Sequence, residues 1–183
     1  HHCDHQEGEK SCPHAKQSKV YGALFTCFHS RAVHLELIRD VGTKEFLNAF
    51  RSFVGRRGTP TTMFSDNATN FKAADKEIRQ LYKSVNWKTV KEEGRDKNIE
   101  WIFNVELAPW ANGLTERLVR SVKKPLKLII GSAQLTFREM SVILTEVEGI
   151  LNMRPLATVS DSIHDALPIS PAELIIGRKM NQL

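Results

Sequence analysis

Pro60 on one side and Ser65-Asp66-Asn67 on the other bracket residues 61–64 (TTMF) and leave the backbone little choice. A proline disfavours helical backbone at the residue before it, so Thr59 is extended. Threonine, methionine and phenylalanine then suit a pleated, half-buried strand. Ser-Asp-Asn ends strands by hydrogen-bonding its own neighbouring main chain. The stretch 61–71 (TTMFSDNATNF) therefore reads as a short strand that delivers Asp66 at its C-terminal edge. In open α/β sheets that edge is where ligands bind. An Asx-turn capping the next helix accounts for the same residues without any function.

The pattern on either side of this strand sets the fold class. Residues 20–28 (VYGALFTCF) form an apolar, β-rich run expected to be a central strand. After a turn at His29-Ser30-Arg31, residues 32–38 (AVHLELI) alternate, with Val33, Leu35 and Leu37 inward and His34 and Glu36 on a solvated outer face. These two runs predict a hairpin. Residues 43–57 predict a helix, with Thr43 as N-cap and an apolar face of Phe46, Leu47, Phe50, Phe53 and Val54. Arg56, Arg57 and Gly58 supply the stop. A second helix is expected over 73–85, a charged loop containing Gly94 over 86–98, a strand over 99–105 and a bend over 107–112. Long helices follow at 114–130 and 137–153, and a short one begins near Ser170, with Pro171 in its first turn. A strand hairpin followed by alternating strands and helices predicts an α/β fold, a mixed sheet flanked by helices.

The length of 183 residues fits one domain, and 41 % hydrophobic residues suffice for a core. The net charge of +5 favours polyanionic partners only mildly. Three cysteines give no disulfide framework, which points to a reducing compartment, with Cys27 expected as a buried free thiol. No apolar run approaches the roughly 20 residues that span a bilayer. Residues 1–19 are polar and aperiodic and are expected to form a poorly ordered lead-in. His2, Cys3, His5, Cys12 and His14 lie there, but their spacing fits no paired zinc-ligand pattern. A chain beginning at His1 rather than Met is expected to be a fragment.

The helix predicted over 114–130 carries the chemistry-bearing pattern. Leu114, Leu118, Val122, Leu126 and Ile129 cover one side. Glu116, Arg120, Lys123 and Lys127 recur at spacings that place them in a single stripe on the other. A solvated face with one weak Glu116–Arg120 pair is the functionless alternative. Pro125 interrupts the pattern, at a helix cost of about 3 kcal/mol or a kink. A strand-end carboxylate, Asp66, and a helix-start carboxylate, Glu116, can meet although fifty positions apart. Two adjacent carboxylates need a cation between them. Hard oxygen donors suit Mg²⁺. A divalent site beside a basic helix is one that cleaves or transfers phosphodiesters. The two carboxylates are expected within about 4–7 Å of each other.

Beyond these patterns, the sequence resembles the catalytic core of retroelement integrases, most closely those of Bel/Pao-type long-terminal-repeat retrotransposons. The resemblance spans residues 21–178. It is carried in order by YGALFTC from Tyr21, SRAVHLELIRD from Ser30, FVGRRGTP from Phe53 and SDNATNF from Ser65. GLTERLVRSVKKPLK from Gly113, LTEVEGILNMRPL from Leu144 and PAELIIGR from Pro171 complete it. It implies an RNase H-like fold and an acidic triad in which Asp66 matches the second aspartate and Glu116 the glutamate. The family's first aspartate sits in an opening strand that this chain lacks in recognisable form. Asp4 lies at about the right distance before Tyr21, but its neighbours are not those of a core strand. The opening strand is thus expected to be missing or degenerate, with the edge of the 20–28 strand left exposed. Ala68, Thr115 and Pro125 also depart from the family pattern.

The expected organisation is a lead-in at 1–19, an integrase catalytic core at 20–155 and a C-terminal extension at 156–183. The resemblance implies DNA integration by metal-dependent 3′-end processing and strand transfer, using two Mg²⁺ or Mn²⁺ ions. Metal ligands would be Asp66 and Glu116, with Asp4 the candidate third carboxylate. Asn67, Asn70, Arg120, Lys123, Lys124 and Lys127 would contact nucleic acid, the cations by holding phosphates. Element ends and target DNA would be the partners, in a homo-oligomer, in the nucleus or a retroelement particle. Two alternatives are an inactive integrase-like domain kept as a nucleic-acid-binding or interaction module, and a hydrolytic nuclease of the same fold.

Overall fold

The computed structural model of the protein describes residues 18–65, 83–103, 109–156 and 168–178, without the side chains of Phe103 and residues 109–116. Strands β1 (Tyr21–Thr26) and β2 (Val33–Ile38) form the predicted antiparallel hairpin, with Tyr21 opposite Ile38 and Thr26 opposite Val33. The connection closes with Cys27 N–H on Ala32 O at 2.9 Å and with Arg31 at φ +57°. That hydrogen bond fixes the phase of the ladder. Tyr21, Ala23 and Phe25 direct their main-chain groups to β2, and the alternation turns those of Gly22, Leu24 and Thr26 to the opposite edge.

Helix α1 (Thr43–Arg57) follows, and Gly58 ends it with φ +88° and an N–H bond to Val54 O. Its N-cap is Gly42 rather than Thr43. Thr43 Oγ1 instead accepts from Asn86 N–H at 2.7 Å, which ties the start of α1 to the start of the next helix. Strand β3 (Thr62–Ser65) pairs in parallel with β4 (Glu100–Phe103), Thr62 beside Glu100 and Ser65 beside Phe103. Between them runs α2 (Trp87–Asp96), where a charged loop was expected. The Asn86 side chain caps it by accepting from Lys88 and Thr89 N–H, while Val90 and Gly94 are buried. Gly94 packs against Ile99 O and the Trp101 ring, and a Cβ there would make ordinary contact with both at 3.6 Å. Residues 73–82 of the expected second helix lie outside the described residues.

Helix α3 (Pro109–Ile130) starts earlier than expected, taking in the end of the anticipated bend with Pro109 in its first turn, and it continues through Pro125. Helix α4 (Phe137–Met153) has the predicted bounds and a capping box between Thr136 and Glu139. Helix α5 (Pro171–Ile176) has a second capping box at Ser170 and Glu173.

The described strands make two two-stranded sheets, β1–β2 and β3–β4, and no described strand precedes Tyr21. Helix α1 covers one face of both. Phe50, 0 % exposed, reaches Phe25 of β1 and Trp101 of β4, with ring centroids at 6.4 and 5.2 Å. Burying such a side chain contributes about 1.5–3 kcal/mol. The other face of β1–β2 carries a separate core, in which Val33 and Leu35 meet Leu118 and Val122 of α3 and Leu144, Val147 and Leu151 of α4. Ile129 and Ile150, expected on apolar faces, are exposed, because the stripes that reach the sheet are narrower than the sequence pattern.

Helical cover on both faces corrects the expectation for His34. It lies on the face opposite Val33 and Leu35, but α1 covers that face, and His34 is 2 % exposed. Its ring nitrogens lie 2.9 Å from Glu36 and 3.5 Å from Glu148. Cys27 is a free thiol as expected, but an exposed one, since it stands just past the end of β1 where the chain turns away from the core.

The outer edge of β2 is closed by side chains of α4. Val33 N–H donates to Asn152 Oδ1 and Val33 O accepts from Asn152 Nδ2, both at 2.8 Å. Leu35 N–H donates to Glu148 Oε2 at 2.7 Å, and Arg154 Nη2 donates to Arg31 O at 3.0 Å. The spacing explains the fit. Four residues of helix advance about 6 Å, and two residues of strand about 6.7 Å. Glu148 also accepts from Arg57 Nη2. Burial alone would raise its carboxyl, but the Leu35 N–H hydrogen bond, the close His34 ring and the Arg57 guanidinium outweigh this. The carboxyl therefore sits below the usual range.

Candidate nucleic-acid interface

Helix α3 presents a broad cationic face. Leu118 and Val122 anchor it against β2 and α4, which fixes its rotation about its axis. Arg120, Lys123, Lys124 and Lys127 are all exposed. Arg120, Lys123 and Lys127 share one stripe, and Lys124 lies beside it at helical spacing. Arg117, not singled out from the sequence, is exposed too and stands seven residues before Lys124, on the same flank. Its signal was that same seven-residue spacing. Five long cationic side chains on one helix suit a ladder of phosphates read without regard to base sequence.

Glu116 belongs to α3, one residue before Arg117, and its side chain is outside the described set. Strand β3 ends at Ser65. Asp66, Asn67 and Asn70, like Asp4, lie outside the described residues, and so does the expected approach of Asp66 to Glu116. Among the described residues no group of three or more His, Cys, Asp or Glu side chains could hold a metal ion. Hard carboxylate oxygens, such as those of Asp66 and Glu116, are the donor chemistry that magnesium takes. No described helix is long and apolar enough to cross a membrane.

No protein-family model matches the sequence, and a comparison with curated proteins finds no match. Solved structures do match. The catalytic core domain of BIV integrase superposes with a TM-score of 0.55 at 14 % identity, over 86 % of this chain and 93 % of that one. The HTLV-2 integrase catalytic core domain, in complex with magnesium, gives 0.51 at 17 % identity, over 79 % of this chain and 81 % of that one. A simian T-cell lymphotropic virus intasome in complex with a PP2A regulatory subunit gives 0.53 at 13 % identity, over 90 % of this chain and 55 % of that one. The fold is thus that of an integrase catalytic core, an α/β architecture of the RNase H-like kind.

Proposed function

We propose that the protein is an integrase-type catalytic core of the Bel/Pao kind that acts on DNA, with 20–155 as its working unit. The observation that carries this is the exposed basic face of α3 on an integrase-core fold, continuous in sequence with Glu116. In this reading Arg120, Lys123, Lys124 and Lys127 hold the backbone phosphates of element ends and target DNA. Asn67 and Asn70 would contact the same DNA. Asp66 and Glu116 would hold Mg²⁺ or Mn²⁺, which would supply activation of the attacking oxygen and stabilisation of the leaving one. Solved relatives in dimeric, trimeric and intasome form support assembly of this chain with copies of itself. Such a protein would work in the nucleus or in a retroelement particle.

The polar, aperiodic character of residues 1–19 motivates a second reading. The fold then persists as a DNA-binding module, and Asp4 completes no site. The chain by itself is accordingly expected not to join DNA strands with either metal. Strand transfer that vanishes in Asp4→Asn would refute this expectation. DNA binding is tested separately. Replacing Arg120, Lys123 and Lys127 together by Ala should flatten the slope of log K against log salt by about two to three. An unchanged slope would place the DNA path elsewhere.

A further inference from the structure

We propose that His34 is a proton-operated latch: a ring protonated on both nitrogens ties Glu36 to Glu148 and holds α4 along the edge of β2, and loss of one proton loosens that edge. The ring is 2 % exposed and packs near Phe25 and Phe53, with centroids at 6.2 and 5.6 Å. Its Nε2 lies 2.9 Å from Glu36 Oε1. An ionised carboxylate only accepts, so this contact places a proton on Nε2. Nδ1 lies 3.5 Å from Glu148 Oε2, is buried and has no hydrogen-bond partner among the described residues. In the neutral ring Nδ1 is itself an acceptor, so two buried acceptors face each other. One more proton turns Nδ1 into a donor aimed at that oxygen.

The groups around the ring favour the doubly protonated form. Strand β2 supplies the Glu36 carboxylate and α4 that of Glu148, one beside each ring nitrogen. From α1, Arg57 pairs with Glu148 Oε1, while Arg56 Nη1 lies 3.5 Å from Glu36 Oε1 and Ser52 Oγ donates to that same oxygen. Strand β1 adds only the uncharged Phe25 ring. Burial opposes charge on the imidazole, and the two carboxylates favour it. Arg56 is largely exposed, so water screens its repulsion of a cationic ring. Glu148 Oε2 is also the oxygen that takes Leu35 N–H, at 2.7 Å. With Nδ1 bare, its lone pair repels that oxygen, and the bond that closes the β2 edge is the one that gives way. A proton bound more tightly in the closed state than in the opened one stabilises closure at low pH. That contribution is lost as the pH rises through the range in which histidine titrates.

The test follows the full chain by NMR between about pH 5 and 8. The nitrogen signals of the His34 ring should show both nitrogens protonated at the low end and Nδ1 bare at the high end. Over the same interval the Leu35 N–H protection factor, corrected for the intrinsic pH dependence of exchange, should fall about tenfold. Glu36→Gln, which takes away one of the two carboxylates, should move both transitions together to lower pH. His34→Gln should leave Leu35 protection independent of pH across the interval. The proposal is overturned if the ring keeps one form throughout, if it titrates with Leu35 protection unchanged, or if His34→Gln retains the fall. Should His34→Gln fail to fold, the unaltered chain and Glu36→Gln decide: transitions that do not coincide, or do not move together, overturn the latch.

Discussion

Along the outer edge of β2, Val33 and Leu35 spend their main-chain hydrogen bonds on Asn152 and Glu148. Along the outer edge of β1, the main-chain groups of Leu24 and Thr26 turn towards a cavity instead. The two edges belong to one hairpin and share its sequence character. What separates them is the neighbour. Helix α4 lies alongside β2 and places residues four apart against strand residues two apart, so its side chains imitate a missing strand. No described helix does this for β1. An edge closed by side chains is fixed at the moment of folding, whereas an edge left open can still take a partner.

The largest expected effect falls on the closed edge. Glu148→Ala leaves Leu35 N–H unmade and Arg57 without its counter-charge, and should cost about 3 kcal/mol in a denaturant titration. The same carboxylate sets an acid limb. Its folded pKa lies below its unfolded value, so its contribution is complete above about pH 4.3 and fades as the pH falls through the folded value. Glu148→Gln should shrink that limb. A full-sized acid limb in the variant would show that other carboxylates cause it.

A smaller loss is expected at Asn152. Asn152→Leu keeps the volume but strips the partners of Val33 N–H and Val33 O, at a cost of about 2 kcal/mol. A cost near zero would mean that water reaches this edge, and the contrast with β1 would lose its basis. The smallest effect should have the opposite sign. Thr26→Val removes a buried hydroxyl that has no described partner and should leave stability unchanged or raise it by about 0.5 kcal/mol. A loss above about 1 kcal/mol would show that Thr26 Oγ1 is already satisfied.

Legibility of the chain followed cover and periodicity. The hairpin, α1, α4 and α5 were readable because each has one apolar face and a recognisable start or stop. Helix α2 was not, because its buried side consists of Trp87, Val90 and Gly94 amid charges, and glycine reads as a loop until Ile99 and Trp101 are seen against it. His34 shows another limit. Alternation told which side of β2 it faces, but not that α1 would cover that side. Of the candidate site, the sequence located the basic row of α3 by spacing alone. The carboxylates stood apart in sequence, and the meeting of Asp66 with Glu116 depends on residues outside those described.

Phe50 joins the two sheets of the described strands. A single ring touches Phe25 in one sheet and Trp101 in the other, with Phe46 also within reach of both. Two small sheets of this size would be marginal alone, each too poor in contacts to survive as an independent unit. Sharing one helix makes their fates common: neither can melt without stripping the same aromatic seam from the other. The protein should therefore lose both described sheets in one cooperative transition, with α1 as the splint that makes them behave as one body.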